Sequence, residues 1–194
     1  KEKITPFIRS LSANPAIRNQ YYIGEAEPVA AHYNDPLMED KHEMVKGLVH
    51  KFKNRALIKV SYMCAAHCRF CTRIRQIGNP EGTLTEIDID HILAYLRQNT
   101  IIDDVILSGG DPFYSPKITG QLLTELAKMD SVKTIRIGTR MPFQSPGSFH
   151  TKTILDLLKL IDETAKKKPF FILLHIEHPA ELTEETEAVI KLLK

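Results

Sequence analysis

The apolar positions of this chain change rhythm near residue 50. Before it they are scattered among prolines. Ile4-Thr5-Pro6-Phe7-Ile8 and the stretch Asn14 to Tyr21 predict two short helices, entered at Pro6 and Pro15. Residues 26–38, interrupted by Pro28 and Pro36, read as an extended connector. After Gly47, short apolar runs alternate with longer stretches of helical spacing. Ala56–Val60 predicts a strand, and Thr85-Glu86-Ile87-Asp88 is a capping box opening a helix with Ile89, Ile92, Leu93 and Leu96 on its apolar face. Asp104–Leu107 predicts a second strand, and Ile118, Leu122, Leu123, Leu126 and Met129 a second helix. A third strand falls at 132–137, followed by a helix marked by Ile154, Leu155, Leu158 and Ile161. Phe170–Leu174 is a near-continuous apolar strand. Thr183 then caps a fourth helix, with Glu184 and Glu185 in the first turn where the helix dipole favours acids.

Strand–helix units in succession predict an α/β fold with a parallel sheet and right-handed crossovers over 51–194, preceded by a helical and extended segment at 1–50. Four strands do not close a barrel, and an open parallel sheet leaves two edges exposed. The pattern therefore reads as a partial (βα) barrel of four or more parallel strands with outer helices, completed by further chain after Lys194 or by a partner. Ligands gather at the carboxyl ends of such strands. The cysteine-bearing stretch, Ser108-Gly109-Gly110-Asp111, Gly138-Thr139-Arg140 and His175 each follow a predicted strand, so they are expected on one rim.

Composition narrows the function classes. With 194 residues and 43% hydrophobic content the chain can bury one sizeable core. A net charge of +2 among 26% charged residues argues against a nucleic-acid surface, and Lys166-Lys167-Lys168 reads as a solvated helix end. No apolar stretch approaches the ~20 residues of a membrane span, and no signal peptide opens the chain. The expected setting is the cytoplasm, without membrane or nucleic-acid partners.

All three cysteines, Cys64, Cys68 and Cys71, fall within one C-x3-C-x2-C stretch, which suits a reducing compartment and a metal centre. A zinc site with His67 or His50 as fourth ligand is one reading. Zinc usually draws its ligands from two separated pairs, so this spacing favours an iron–sulfur cluster. A [4Fe–4S] cluster on three thiolates leaves one iron open. At potentials as low as about −700 mV such a centre can reduce a sulfonium whose amino and carboxylate groups chelate that iron.

The cysteine motif after the first strand, with a Gly-Gly-acid loop after the second, resembles the radical S-adenosylmethionine (SAM) superfamily. Further motifs resemble its lysine 2,3-aminomutase family: Asp35-Pro36-Leu37 with Glu39-Asp40, Gly47-Leu48-Val49-His50-Lys51, Cys68-Arg69-Phe70-Cys71-Thr72-Arg73, Leu107 to Pro112, Arg136 to Arg140, and His175 with His178-Pro179. The resemblance implies that Cys64, Cys68 and Cys71 ligate the cluster. It implies that Ser108, Gly109, Gly110 and Asp111 contact the SAM amino group, partly through backbone, and that Arg140 pairs with the SAM carboxylate. Arg73 would reach toward the substrate and pyridoxal 5′-phosphate, whose lysine is not recognisable in these 194 residues. His175 would face the same rim, or else sit in the core on a backbone hydrogen bond. His178 reads as structural, and Asp103 and Asp104 as the opening of a strand. The implied activity is reductive SAM cleavage that starts 1,2-amino migration on an amino acid. The implied electron donor is a flavodoxin or ferredoxin, with homo-oligomerisation left open. The other readings are an aminomutase that forms β-lysine for modification of a translation elongation factor, or an iron–sulfur or zinc module without catalysis.

Overall fold

The computed structural model describes residues 2–24 and 35–194. Six strands form one sheet in chain order: β1 Glu43–Val45, β2 Leu48–Phe52, β3 Arg55–Ser61, β4 Asp104–Gly109, β5 Thr134–Thr139 and β6 Phe170–Leu174. β3 to β6 are mutually parallel, as expected, whereas β1, β2 and β3 pair antiparallel. The helices are α1 Pro6–Leu11, α2 Pro15–Tyr21, α3 Glu86–Gln98, α4 Pro116–Lys128, the single turn α5 Met141–Gln144, α6 Lys152–Ala165 and α7 Glu184–Leu192. The connector read at 26–38 falls mostly outside the described residues.

The β1–β2 hairpin was not expected. Its signal was Lys46-Gly47 between two short runs, where Val45 pairs with Leu48 and Gly47 takes a φ of +84°, a conformation that favours glycine. The hairpin covers the β3 edge, so of the two sheet edges expected to lie open, only the one at β6 lacks a neighbour among the described residues. β6 itself is not buried throughout. Its burial alternates, with Phe171 and Leu173 exposed.

One sheet face carries the core. Ile58, Val60, Val105, Leu107, Ile135 and Ile137 are solvent-free and pack with Ile92, Leu96, Leu122, Leu126 and Ile154 of the outer helices. Deleting a buried branched chain here would cost about 2–5 kcal/mol. The capping box of α3 is present in both directions between Thr85 and Asp88, and Thr183 caps α7 with Thr186 as its reciprocal partner. The apolar face of α6 is Ile154, Leu157 and Ile161; Leu155 lies outside it and is exposed, because positions three and seven on from Ile154 share its face.

The opposite sheet face is polar at the strands' amino ends. Asp104 accepts from Arg55 Nε at 2.8 Å and from Arg136 Nε at 2.9 Å, tying β3, β4 and β5 together. Asp104 therefore does more than open a strand. β5 begins two residues later than its pattern suggested, which places Gly138 and Thr139 inside the strand and Arg140 at its carboxyl end. No helix among the described residues is long and apolar enough to cross a membrane.

Candidate functional site

Beyond Ser61 the chain leaves β3 and forms the loop that carries the cysteines. Elements distant in sequence hold it from both sides. Lys3 Nζ donates to Cys64 O at 2.6 Å, and the amides of His67 and Arg69 donate to Lys3 O and Gln20 O. Ala66 is buried against Ile8, Ile17 and Tyr21, the small core that α1 and α2 build.

The loop after β4 lies against this one so closely that only glycine fits. A Cβ on Gly110 would stand 2.3 Å from Met63 O, and one on Gly109, whose φ is +101°, would stand 2.6 Å from Ser61 O. The amides of Gly110 and Asp111 donate to Ser61 O and Met63 O at 2.6 and 2.9 Å. Asp111, buried, accepts from the amides of Phe113, Arg140 and Met141 and from Thr139 Oγ1, at 2.8–3.0 Å. Burial pushes its carboxyl above the ordinary range, against the pull of those bonds. Its side chain thus fastens the start of α5 to the β4 loop.

A cleft of about 410 Å³ opens at the carboxyl ends of the strands. All ten residues singled out from the sequence border it: the three cysteines, Arg73, Ser108 to Asp111, Arg140 and His175. The thiols are half-buried and unbridged. Burial raises all three; Cys68 is pushed up to about 11, against the opposing pull of the Arg140 charge and of hydrogen bonds from Gln144 and Tyr21. Among the described residues, no three His, Cys, Asp or Glu side chains converge on a point one metal ion could occupy.

Arg140 and Arg73 border the cleft and also have partners within the protein. Arg140 is 7% exposed, and its guanidinium pairs with Glu181 and Gln20, donates from Nε to Tyr21 Oη at 3.2 Å and from Nη1 to His175 O at 3.3 Å. The Phe70 ring stacks on it at 5.0 Å. Little of its donor capacity is left for a ligand carboxylate. Arg73 forms a two-pronged pair with the buried Glu39, at 2.7 and 2.6 Å, and its Nη1 leans on Gly109 O at 3.5 Å. His175 is exposed rather than in the core. Its ring meets Phe70 edge-on at 5.6 Å and its side chain pairs with Glu177.

Of the other histidines, His50 lies on β2 bonded to Tyr95 Oη at 2.9 Å, and His178 caps the turn at Pro179–Glu181 through Nδ1. His67 is buried beside Gly78 and does not border the cleft. Sequence reasoning missed Glu181, Tyr21 and Gln144. Glu39 lay in a quoted motif but carried no role. A buried arginine requires an acid, and the acid in His178-Pro179-Ala180-Glu181 was the available signal.

Comparison with known proteins follows the same residues. The Radical SAM superfamily profile matches residues 58–192. An L-lysine 2,3-aminomutase of Clostridium subterminale is 33% identical over 197 residues, covering 98% of this chain and 46% of that protein. One of Methanococcus maripaludis is 32% identical, covering 96% and 43%, and one of Bacillus subtilis is 35% identical, covering 82% and 33%. The chain spans less than half the length of these curated relatives. It belongs to the radical SAM superfamily, and over most of its own length it is similar to L-lysine 2,3-aminomutases.

Proposed function

We propose that this chain carries the SAM-cleaving half of an aminomutase acting on an amino acid, as in the lysine 2,3-aminomutases it resembles. The observation that supports this most is that three thiols and the glycine loop of β4 share one cleft at the strand ends. The donor set fits the cluster: three thiols from one short loop, the soft ligands that iron–sulfur centres take, border one cavity. A [4Fe–4S] cluster on Cys64, Cys68 and Cys71 would supply the electron that breaks a carbon–sulfur bond of SAM.

The chain's own residues orient that chemistry. Gly109 and Gly110 let the β4 loop close against Met63, beside Cys64. A cationic amine only donates, so the β4 loop's offer to it is acceptors, its carbonyl oxygens and the Ser108 hydroxyl, while the Gly110 and Asp111 amides tie the loop to the cysteine loop. Arg140 builds the wall between β5, β6 and α2, and its remaining Nη1 hydrogen is its offer to a carboxylate. The Phe70 ring stacks on the cleft side of that wall. Pyridoxal phosphate rests on the resemblance alone; Arg73, paired with Glu39, borders the same cleft. A reducing cytoplasm and a flavodoxin or ferredoxin as electron donor accord with such a centre.

Anaerobic reconstitution with iron and sulfide, followed by dithionite and SAM, should yield 5′-deoxyadenosine. An intact cluster that yields none would overturn the catalytic reading. Supplying L-lysine and pyridoxal phosphate to the intact protein and assaying β-lysine tests the substrate.

A further inference from the structure

Gln144 is 2% exposed at the end of α5, yet it lines the cleft and touches the cysteine loop with both ends of its side-chain amide. Its Oε1 accepts from Ala66 N at 3.4 Å, and its Nε2 donates to Cys68 Sγ at 3.1 Å and leans on Ala66 O at 3.5 Å. Its own backbone carbonyl accepts from Thr5 Oγ1, which caps α1. The amide has only one workable orientation. Turned over, it would set Nε2 against the Ala66 N–H and Oε1 against both a carbonyl and a sulfur. Glutamate would keep the acceptor and lose the donor. Leucine would lose both.

On the reading that Cys68 holds a cluster, we infer that Gln144 is a positioning residue that sets the reduction potential of the centre through its N–H···S bond to Cys68. A donor on a cluster thiolate draws off negative charge, and that charge is greatest in the reduced state. The bond therefore favours reduction, and hydrogen bonds to the sulfurs are among the levers that set such potentials. Gln144 also touches Ala66 N and O, at 3.4 and 3.5 Å, which sets the donor beside the loop that carries Cys68. This position makes the centre easier to reduce than three thiolates in the same buried loop without a donor would be.

The test is an EPR-monitored redox titration of the reconstituted intact protein and its Gln144→Leu variant, with iron counted per chain. With equal iron, the variant's oxidised-to-reduced ratio at fixed potential should rise about threefold to tenfold, a midpoint shift of about 30 to 60 mV downward at 59 mV per decade. A second measurement needs no variant to fold. In the unaltered protein, isotopic labelling of glutamine side-chain amides should give a weak nitrogen coupling to the reduced cluster in pulsed EPR, and Gln144→Met should lose it. An unchanged midpoint at equal iron, or no nitrogen coupling in the unaltered protein, overturns the inference. An unaltered protein that binds no EPR-active cluster removes the proposed function and the inference with it, and iron counting separates that failure from the others.

Discussion

A guanidinium at the carboxyl end of a strand can meet a ligand's carboxylate or an internal one, and four of the five N–H groups of Arg140 meet protein. Its place on the rim was legible because Gly138-Thr139-Arg140 follows an apolar run. Its partner was not, because Glu181 lies 41 residues away and no local pattern links the two. Both side chains are almost wholly buried, at 7% and 3% exposure. Glu181→Ala would leave a buried charge without compensation, and urea unfolding should show a loss of about 3–5 kcal/mol. A loss below about 1 kcal/mol, the range of surface pairs, would mean that the pair is not held as described. The cysteines make the opposite case, since their spacing alone announced a shared site. Replacing any one of Cys64, Cys68 or Cys71 by Ala should abolish the brown absorbance and the formation of 5′-deoxyadenosine, with iron per chain falling in parallel.

Among the elements, those with local signals were legible and those made by pairing were not. The capping box at Thr85–Asp88 could be read because all its atoms lie within one turn. That box also carries a pH signature. Burial pushes the Asp88 carboxyl up, but the Lys46 bond and the two Thr85 bonds outweigh it and hold it at about 2. A carboxyl held below its unfolded value of about 3.9 stabilises the fold fully above that value and progressively less as the pH falls toward 2. Wild type should therefore exceed Asp88→Asn in melting temperature at pH 6, and the gap should close between pH 4 and 2. A gap independent of pH would show that the carboxylate's charge is not what stabilises the cap. The β1–β2 hairpin escaped notice because β1 has only three residues, too few to show a period of two. Its turn carries one glycine, at Gly47, without an Asn or Asp before it.

At the scale of the molecule, chain order was the most informative clue. Four pieces, each placed after a strand, came to one cleft because parallel strands all end on the same side. The state of the two sheet edges was less legible, since it depends on which strands pair. β4 has neighbours on both sides, whereas β6 pairs only with β5 among the described residues. Native-state hydrogen exchange should find the β4 amides slowest and alternate amides of β6 faster by orders of magnitude. Uniform protection across both strands would show that something covers the β6 edge. The ties that hold the cysteine loop have a consequence for synthesis. Lys3 meets Cys64 across 61 positions of sequence, and Thr5 meets Gln144 across 139. On a ribosome, the thiols emerge well before Gln144, so iron delivered to the nascent chain would meet a loop that still lacks one of its walls. On the proposed function, the order that suits this loop is folding first and iron loading afterwards.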